Sequence, residues 1–179
     1  MRTGAYPGSF DPPTVAHLAV ADAARRQAGL DRVDLIISQV ALGKEDRHGP
    51  APSARLAVLE ACRASRPWLG ARLTSARLLV DIAEGYDVLI VGADKWAQLV
   101  DPAWYGGSQA ARDDVLRRVP AVLVAPRPPH PLPAPSPPRV TLLEVDVAHG
   151  PVSSTAVRAG RLEWMADEAA GTGLWAPRR

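Results

Sequence analysis

The chain has 179 residues, 47% hydrophobic and 22% charged, a balance that excludes a disordered, collagen-like or disulfide-stapled protein. Its 21 basic and 19 acidic residues leave a formal net charge of +2, too small to drive non-specific binding to nucleic acid or to a membrane surface. The lone Cys62 cannot form an internal bridge, and the opening MRTGAYPGSF lacks the basic start and long apolar stretch of a secretion signal, so the reading is cytoplasmic.

Strand-like and helix-like segments alternate along the chain, the signature of βαβ units feeding a mostly parallel sheet. The first strand is expected at Arg2 to Tyr6, followed by a Pro/Gly-rich loop and a helix from His17 to Leu30 with Leu18, Ala21, Ala24 and Ala28 at helical spacing. Val33 to Val40 reads as the second strand, and Ser53 as the N-cap of the helix ARLAVLEAC. Leu73 and Thr74 mark a weak third strand, followed by a short helix over Leu78 to Glu84. Asp87 to Gly92, a β-branched apolar run bounded by polar residues, is expected at the middle of the sheet. A helix at Ser108 to Val119 then leads to strands at Ala121 to Ala125 and Arg139 to Val145. Between those two strands, PRPPHPLPAPSPP holds eight of the 18 prolines and reads as an extended surface loop. The expected fold is α/β and Rossmann-like, a mostly parallel sheet with helices on both faces. It forms one domain over residues 1–168, with a flexible, fraying tail at 169–179.

Two segments carry chemistry. Immediately after the first strand comes Gly8-Ser9-Phe10-Asp11-Pro12-Pro13-Thr14-Val15-Ala16-His17, a turn running from a strand into a helix N-terminus, where free N–H groups suit a phosphate. Thr14 and His17 lie three apart and meet on one face of the first helical turn. Near the C-terminus, Val152-Ser153-Ser154-Thr155-Ala156-Val157-Arg158 forms a second hydroxyl-rich helix start with an arginine one turn in, a second candidate anion site. Together they could clamp a polyphosphate from two sides. Read singly, each is also satisfied by capping and packing alone.

TVAH and VSSTAVR resemble the [H/T]-x-G-H and I-S-S-T-x-x-R motifs of the nucleotidyltransferase superfamily. The run VLIVGADKWAQLVDPAWYGGSQAARDDVLRRVPAVLVAPRP is similar to the G-A-D, Trp-Tyr and strand-then-Arg-Pro segment of bacterial nicotinate mononucleotide adenylyltransferases. The first motif position, Thr14, is instead like phosphopantetheine adenylyltransferases, and Ala16 stands where the motif has glycine.

The resemblance implies transfer of AMP from ATP to a phosphate acceptor, most of all nicotinate mononucleotide, with pyrophosphate released. A phosphopantetheine-type or other small-phosphate adenylyltransferase, and a nucleotide-binding protein without turnover, remain open. The resemblance gives His17, Thr14 and Arg158 catalytic roles. It places ATP at Gly8, Ser9, Phe10, Lys44, Gly92, Asp94, Ser153, Ser154 and Thr155, and the acceptor at Arg55, Trp104, Tyr105 and Arg127. Mg²⁺ is expected to arrive with ATP, because the loops show no dedicated carboxylate cage, and no protein-built zinc site is expected, since His48, His130 and His149 have no companion Cys, Asp or His at ligand spacing. The expected partners are ATP and a phosphate-bearing small molecule, with no nucleic acid and no membrane; a homo-oligomer is left open. Cys62 reads as a small core residue.

Overall fold

Six parallel strands form among the described residues: β1 (Thr3–Pro7), β2 (Arg32–Ser38), β3 (Leu69–Thr74), β4 (Val88–Gly92), β5 (Ala121–Ala125) and β6 (Val140–Leu142). They form one sheet in the order β3-β2-β1-β4-β5-β6. The structure is a computed structural model that describes residues 1–39, 49–133 and 139–176.

Side chains alternate between the two faces of the sheet with the strand period of two. Tyr6, Leu35, Ile37, Ile90 and Leu123 belong to one core, and Ala5, Ile36, Leu89, Val91, Val122 and Val124 to the other. The first core is covered by α1 (Val15–Ala28) and α2 (Pro52–Ala61), the second by α3 (Leu79–Ile82), α4 (Ala93–Val100) and α5 (Gln109–Arg118). The chain closes with α6 (Ser154–Arg158) and α7 (Asp167–Ala170), which return to the first core. Leu89 and Ile90 of β4 are fully buried, each contributing about 1.5–3 kcal/mol by leaving water.

Several boundaries differ from the sequence reading, each for a local reason. Thr14 rather than a later residue caps α1, so the helix starts at Val15. In α2 the cap is Ala51 and Pro52 occupies the first turn, which places Ser53 inside the helix rather than at its cap. The weak third strand extends back to Leu69 because it pairs with β2 from Val33↔Leu69 through Ser38↔Thr74, a tertiary ladder that overrides the low propensity of Gly70. The last strand stops after three residues because Gln27 of α1 caps the sheet edge: its Nε2–H₂ donates to the Leu142 carbonyl at 2.8 Å, and its Oε1 accepts the Glu144 N–H at 2.9 Å. α4 follows β4 directly, in a segment the sequence reading left without a helix. Ala169 and Trp175, in the stretch expected to fray, pack on the first core.

Candidate active site

β1 and β4 are the two central strands, and the chain leaves them toward opposite edges of the sheet. The crevice outside their carboxyl ends is where an open parallel sheet binds ligands. Two clefts open there. One, of about 700 Å³, lies among Pro7, Gly8, Ser9, the ends of β2, α3 and α4, and the aromatic pair Trp104 and Tyr105. The other, of about 750 Å³, lies among Tyr6, Thr14, Ala16, His17, Gly92, Arg127 and the segment from Val145 to Val152.

The loop after β1 is built around Phe10. Its residue is 0% exposed, with the ring edge-on to Tyr6 at 5.7 Å and to His17 at 5.0 Å between centroids. Gly8 makes this possible, because a Cβ there would stand 2.8–3.1 Å from the Phe10 ring. Phe10 itself holds a left-handed backbone at φ 44°, a conformation that costs a non-glycine residue about 1–2 kcal/mol and is held by its complete burial. Expected as an ATP contact, Phe10 is therefore a support beneath His17.

Thr14 and His17 form a reciprocal capping box. The Thr14 hydroxyl accepts the His17 backbone N–H at 3.3 Å, and the Thr14 backbone N–H donates to His17 Nδ1 at 3.0 Å. The hydroxyl also lies 2.8 Å from Nδ1. A backbone N–H can only donate, so Nδ1 is the acceptor nitrogen and the neutral ring carries its proton on Nε2. Thr14 is 0% exposed, which corrects the expectation that its hydroxyl faces phosphate: it is turned onto His17 and orients that ring.

The two motifs meet as expected. Arg158 bonds through Nη1 to the Asp11 carbonyl, with the Asp11 carboxylate 3.6 Å away, and through Nη2 to the Thr155 hydroxyl at 3.3 Å. Ser153 is the N-cap of α6, accepting the Ala156 N–H at 3.1 Å. Ser154 donates to the Pro12 carbonyl at 2.7 Å, so its hydroxyl ties the two motifs together and is not aimed at a ligand. α6 has five residues, too short for its dipole to hold an anion, and any anion at this motif must be held by side chains.

At the end of β4, Asp94 lies in the first turn of α4, past the N-cap Gly92, and its Oδ1 is 3.5 Å from Arg127 Nε. Gly92 leaves room for this carboxylate, because a Cβ there would stand 2.6 Å from Asp94 Oδ1. Burial pushes the neighbouring Tyr6 hydroxyl well above its ordinary 10.0, which Arg127 opposes and Asp94 reinforces, so Tyr6 stays a neutral phenol.

The acceptor set is divided by the structure. Trp104, 39% exposed, lines the first cleft, as does Tyr105, whose hydroxyl donates to the Leu99 carbonyl at 3.0 Å. Arg127 lies in the second cleft with His17, not with the aromatic pair. Arg55 bonds to the Ser9 and Pro50 carbonyls and braces the loop. Gly8 and Ser9, expected on the ATP side, wall the aromatic cleft. Lys44 and His48 fall outside the described residues.

Sequence reasoning missed Arg77 and Lys95, both lining the aromatic cleft, where Lys95 Nζ donates to Gln98 Oε1 at 2.8 Å. One of two lysines in the chain, placed directly after G-A-D, was the available signal for Lys95. It also missed Trp175, whose indole N–H donates to Asp11 Oδ1 at 2.7 Å. Among the described residues no group of three or more His, Cys, Asp or Glu side chains is placed to hold a metal ion, and no helix is long and apolar enough to cross a membrane.

The six-stranded parallel sheet with paired clefts at its switch point is a Rossmann-like α/β fold, with His17 in the helix that follows the loop after β1 and Arg158 bonded to that loop through the Asp11 carbonyl. The cytidylyltransferase-like family model matches residues 5–160, and the chain belongs to that family. It is similar to proteins named probable nicotinate-nucleotide adenylyltransferase. The Bordetella pertussis protein is 44% identical over 68 residues, 38% of this chain and 34% of the relative. The Salinibacter ruber protein is 30% identical over 136 residues, 69% of this chain and 66% of the relative. The matches thus span from about a third to just under two thirds of these relatives' lengths. Among solved structures, the Plasmodium falciparum nicotinic acid mononucleotide adenylyltransferase complexed with NaAD superposes with a TM-score of 0.67 at 13% identity, covering 97% of each chain, and so shares the fold.

Proposed function

We propose that this protein is an adenylyltransferase that moves AMP from MgATP to the phosphate of nicotinate mononucleotide and releases pyrophosphate. The observation that carries this reading is His17, locked by Thr14 through Nδ1 so that its Nε2–H is the ring's donor, in a cleft at the loop shared with Arg158. The names of the relatives support the acceptor.

ATP fits the His17 cleft, with its triphosphate toward Ser153, Thr155 and Arg158. These are hydroxyl and cationic groups suited to oxyanions, and Mg²⁺ enters as part of the MgATP substrate. The acceptor fits the aromatic cleft, where Trp104 offers a ring face and Arg77 and Lys95 offer cations to a carboxylate. Its phosphate, already anionic at neutral pH, attacks the α-phosphorus from the Gly8–Ser9 side and expels pyrophosphate. No covalent enzyme intermediate is needed. His17 donates to the α-phosphoryl oxygens as charge builds on them, and Arg158 holds the departing pyrophosphate.

The test is pyrophosphate release by purified protein from MgATP with nicotinate mononucleotide, nicotinamide mononucleotide or pantetheine phosphate as acceptor. Turnover with nicotinate mononucleotide above the other two is expected. Turnover with pantetheine phosphate alone replaces the acceptor, and ATP binding without pyrophosphate release from any acceptor refutes the enzyme reading.

A further inference from the structure

We infer that the Tyr6 hydroxyl bonds a ribose hydroxyl of ATP and so sets a preference for ribonucleotide over deoxyribonucleotide. Tyr6 lies near the carboxyl end of β1 and lines the His17 cleft, with 8% of its surface exposed. Among the described residues, none donates to or accepts from its hydroxyl. A hydroxyl so enclosed costs free energy unless it is hydrogen-bonded, and native structures leave few such groups unmatched. One left without a protein partner on the wall of a cleft is suited to a ligand atom.

The ring that carries this hydroxyl is held on two sides. Phe10 meets it edge-on at 5.7 Å between centroids, and the His17 ring lies at 6.3 Å. Burial keeps the phenol neutral, so it retains a proton to donate. The same cleft is lined by Gly92 at the end of β4 and by Arg127, two residues past the Ala125 with which Gly92 pairs. A Cβ on Gly92 would stand 2.6 Å from Asp94 Oδ1 and 3.3 Å from Arg127 Cδ, so the absence of a side chain there leaves room for both neighbours.

Charge and distance choose the group that Tyr6 meets. Arg127 already faces the Asp94 carboxylate at 3.5 Å, so a phosphate gains little at this wall, whereas a neutral hydroxyl can accept from the phenol without meeting an opposing charge. In the adenylyltransferase reading, on which this inference rests, His17 meets the α-phosphate. The ribose is the next group along the nucleotide, and Tyr6 is an aromatic neighbour of the His17 ring on the same cleft wall. The base lies one sugar farther on.

The experiment separates the inference from the reading beneath it. MgATP and its 2′-deoxy and 3′-deoxy analogues are titrated by calorimetry, without acceptor, into wild type and Tyr6→Phe, and both proteins are melted without ligand. Wild type is expected to bind at least one deoxy analogue about tenfold more weakly than ATP, since a site built to bond a hydroxyl rejects the analogue that lacks it. Tyr6→Phe keeps the ring between Phe10 and His17 and removes only the hydroxyl. It is expected to bind ATP about tenfold more weakly and to lose the gap between ATP and that analogue. It is also expected to melt at the wild-type temperature or above, because it deletes a buried hydroxyl that has no protein partner, an outcome that a structural role would not produce. Melting well below wild type, or failure to fold, would show that the hydroxyl serves the fold and overturns the inference. Equal wild-type affinity for all three nucleotides overturns it without any variant. So does wild-type ATP affinity in Tyr6→Phe, or a gap as wide there as in wild type. No binding of MgATP by the wild-type protein instead overturns the adenylyltransferase reading, and the inference with it.

Discussion

Thr14→Val isolates the orienting role of the hydroxyl from the chemistry of His17. Valine matches threonine in shape, and the site is 0% exposed, so the substitution exchanges one hydroxyl for one methyl inside an otherwise unchanged enclosure. Two contacts go: the cap on the His17 backbone N–H at 3.3 Å and the 2.8 Å contact with Nδ1. One stays, the Thr14 backbone N–H to Nδ1 at 3.0 Å, which alone still dictates the tautomer. Loss of an N-cap costs about 1 kcal/mol, which for a chain of this size lowers Tm by about 2–4 °C. The ring keeps its proton on Nε2 but loses one of two restraints, so kcat is expected to fall about tenfold, against the 100-fold or more expected of His17→Ala. The assay pairs thermal denaturation with pyrophosphate release at saturating MgATP and acceptor. Unchanged kcat alongside the expected loss of stability would show that the hydroxyl caps the helix and nothing more. A loss as deep as that of His17→Ala would show that it touches substrate after all.

Other consequences follow from the same geometry. Trp104→Ala should raise the KM for nicotinate mononucleotide about tenfold, the stacking of one flat ring, with little change in the KM for ATP or in Tm. An equal rise for both substrates would refute the division into two clefts. Gly70→Ala should destabilise the protein by about 1–3 kcal/mol in urea denaturation, because a Cβ there overlaps the buried Asp34 carboxylate that Arg32 and Tyr86 hold at 2.6 and 2.8 Å. Wild-type stability would show that the network shifts freely. Burial pushes the Cys62 thiol up from 9.0 to about 12, with Glu168 adding to the rise. At pH 8, iodoacetamide should therefore react about a thousandfold more slowly with the native protein than with the urea-unfolded chain. Because the folded value is the raised one, the stability this thiol contributes is complete below pH 9.0 and is lost as pH climbs from there toward about 12.

The sheet was legible because its central strands announce themselves: DVLIVG and AVLVA are covered on both faces, and burial on both faces needs an uninterrupted apolar run. β3 was only half visible, since Gly70 and Arg72 contribute no strand signal and the ladder to β2 supplies what propensity does not. The two motifs were legible as motifs, and their meeting followed from their order. Which hydroxyl faces a ligand was not. Thr14 and Ser154 read from sequence as phosphate contacts, yet Thr14 is sealed against His17 and Ser154 is bound to the Pro12 carbonyl. Sequence spacing places a side chain on a helix; only the packing of the neighbouring loop decides whether it looks outward. Trp175 was beyond reach for a related reason, because its contact with Asp11 spans 164 residues and depends on the path of a tail with no strong pattern of its own.

The site therefore uses each motif in two ways. One set of side chains builds the loop: Phe10 beneath it, Thr14 at its exit, Ser154 and Arg55 on its carbonyls. A smaller set, His17 and Arg158, is held by that scaffold in a defined orientation. This division explains why Ala16 is compatible with the site although the motif it resembles has glycine there. Residue 16 lies in the first turn of α1, where the backbone is helical and asks for no glycine, and its Cβ forms part of the wall of the His17 cleft. On the proposed function, Ala16 narrows the cleft beside His17 and so sets how closely a triphosphate approaches the start of the helix.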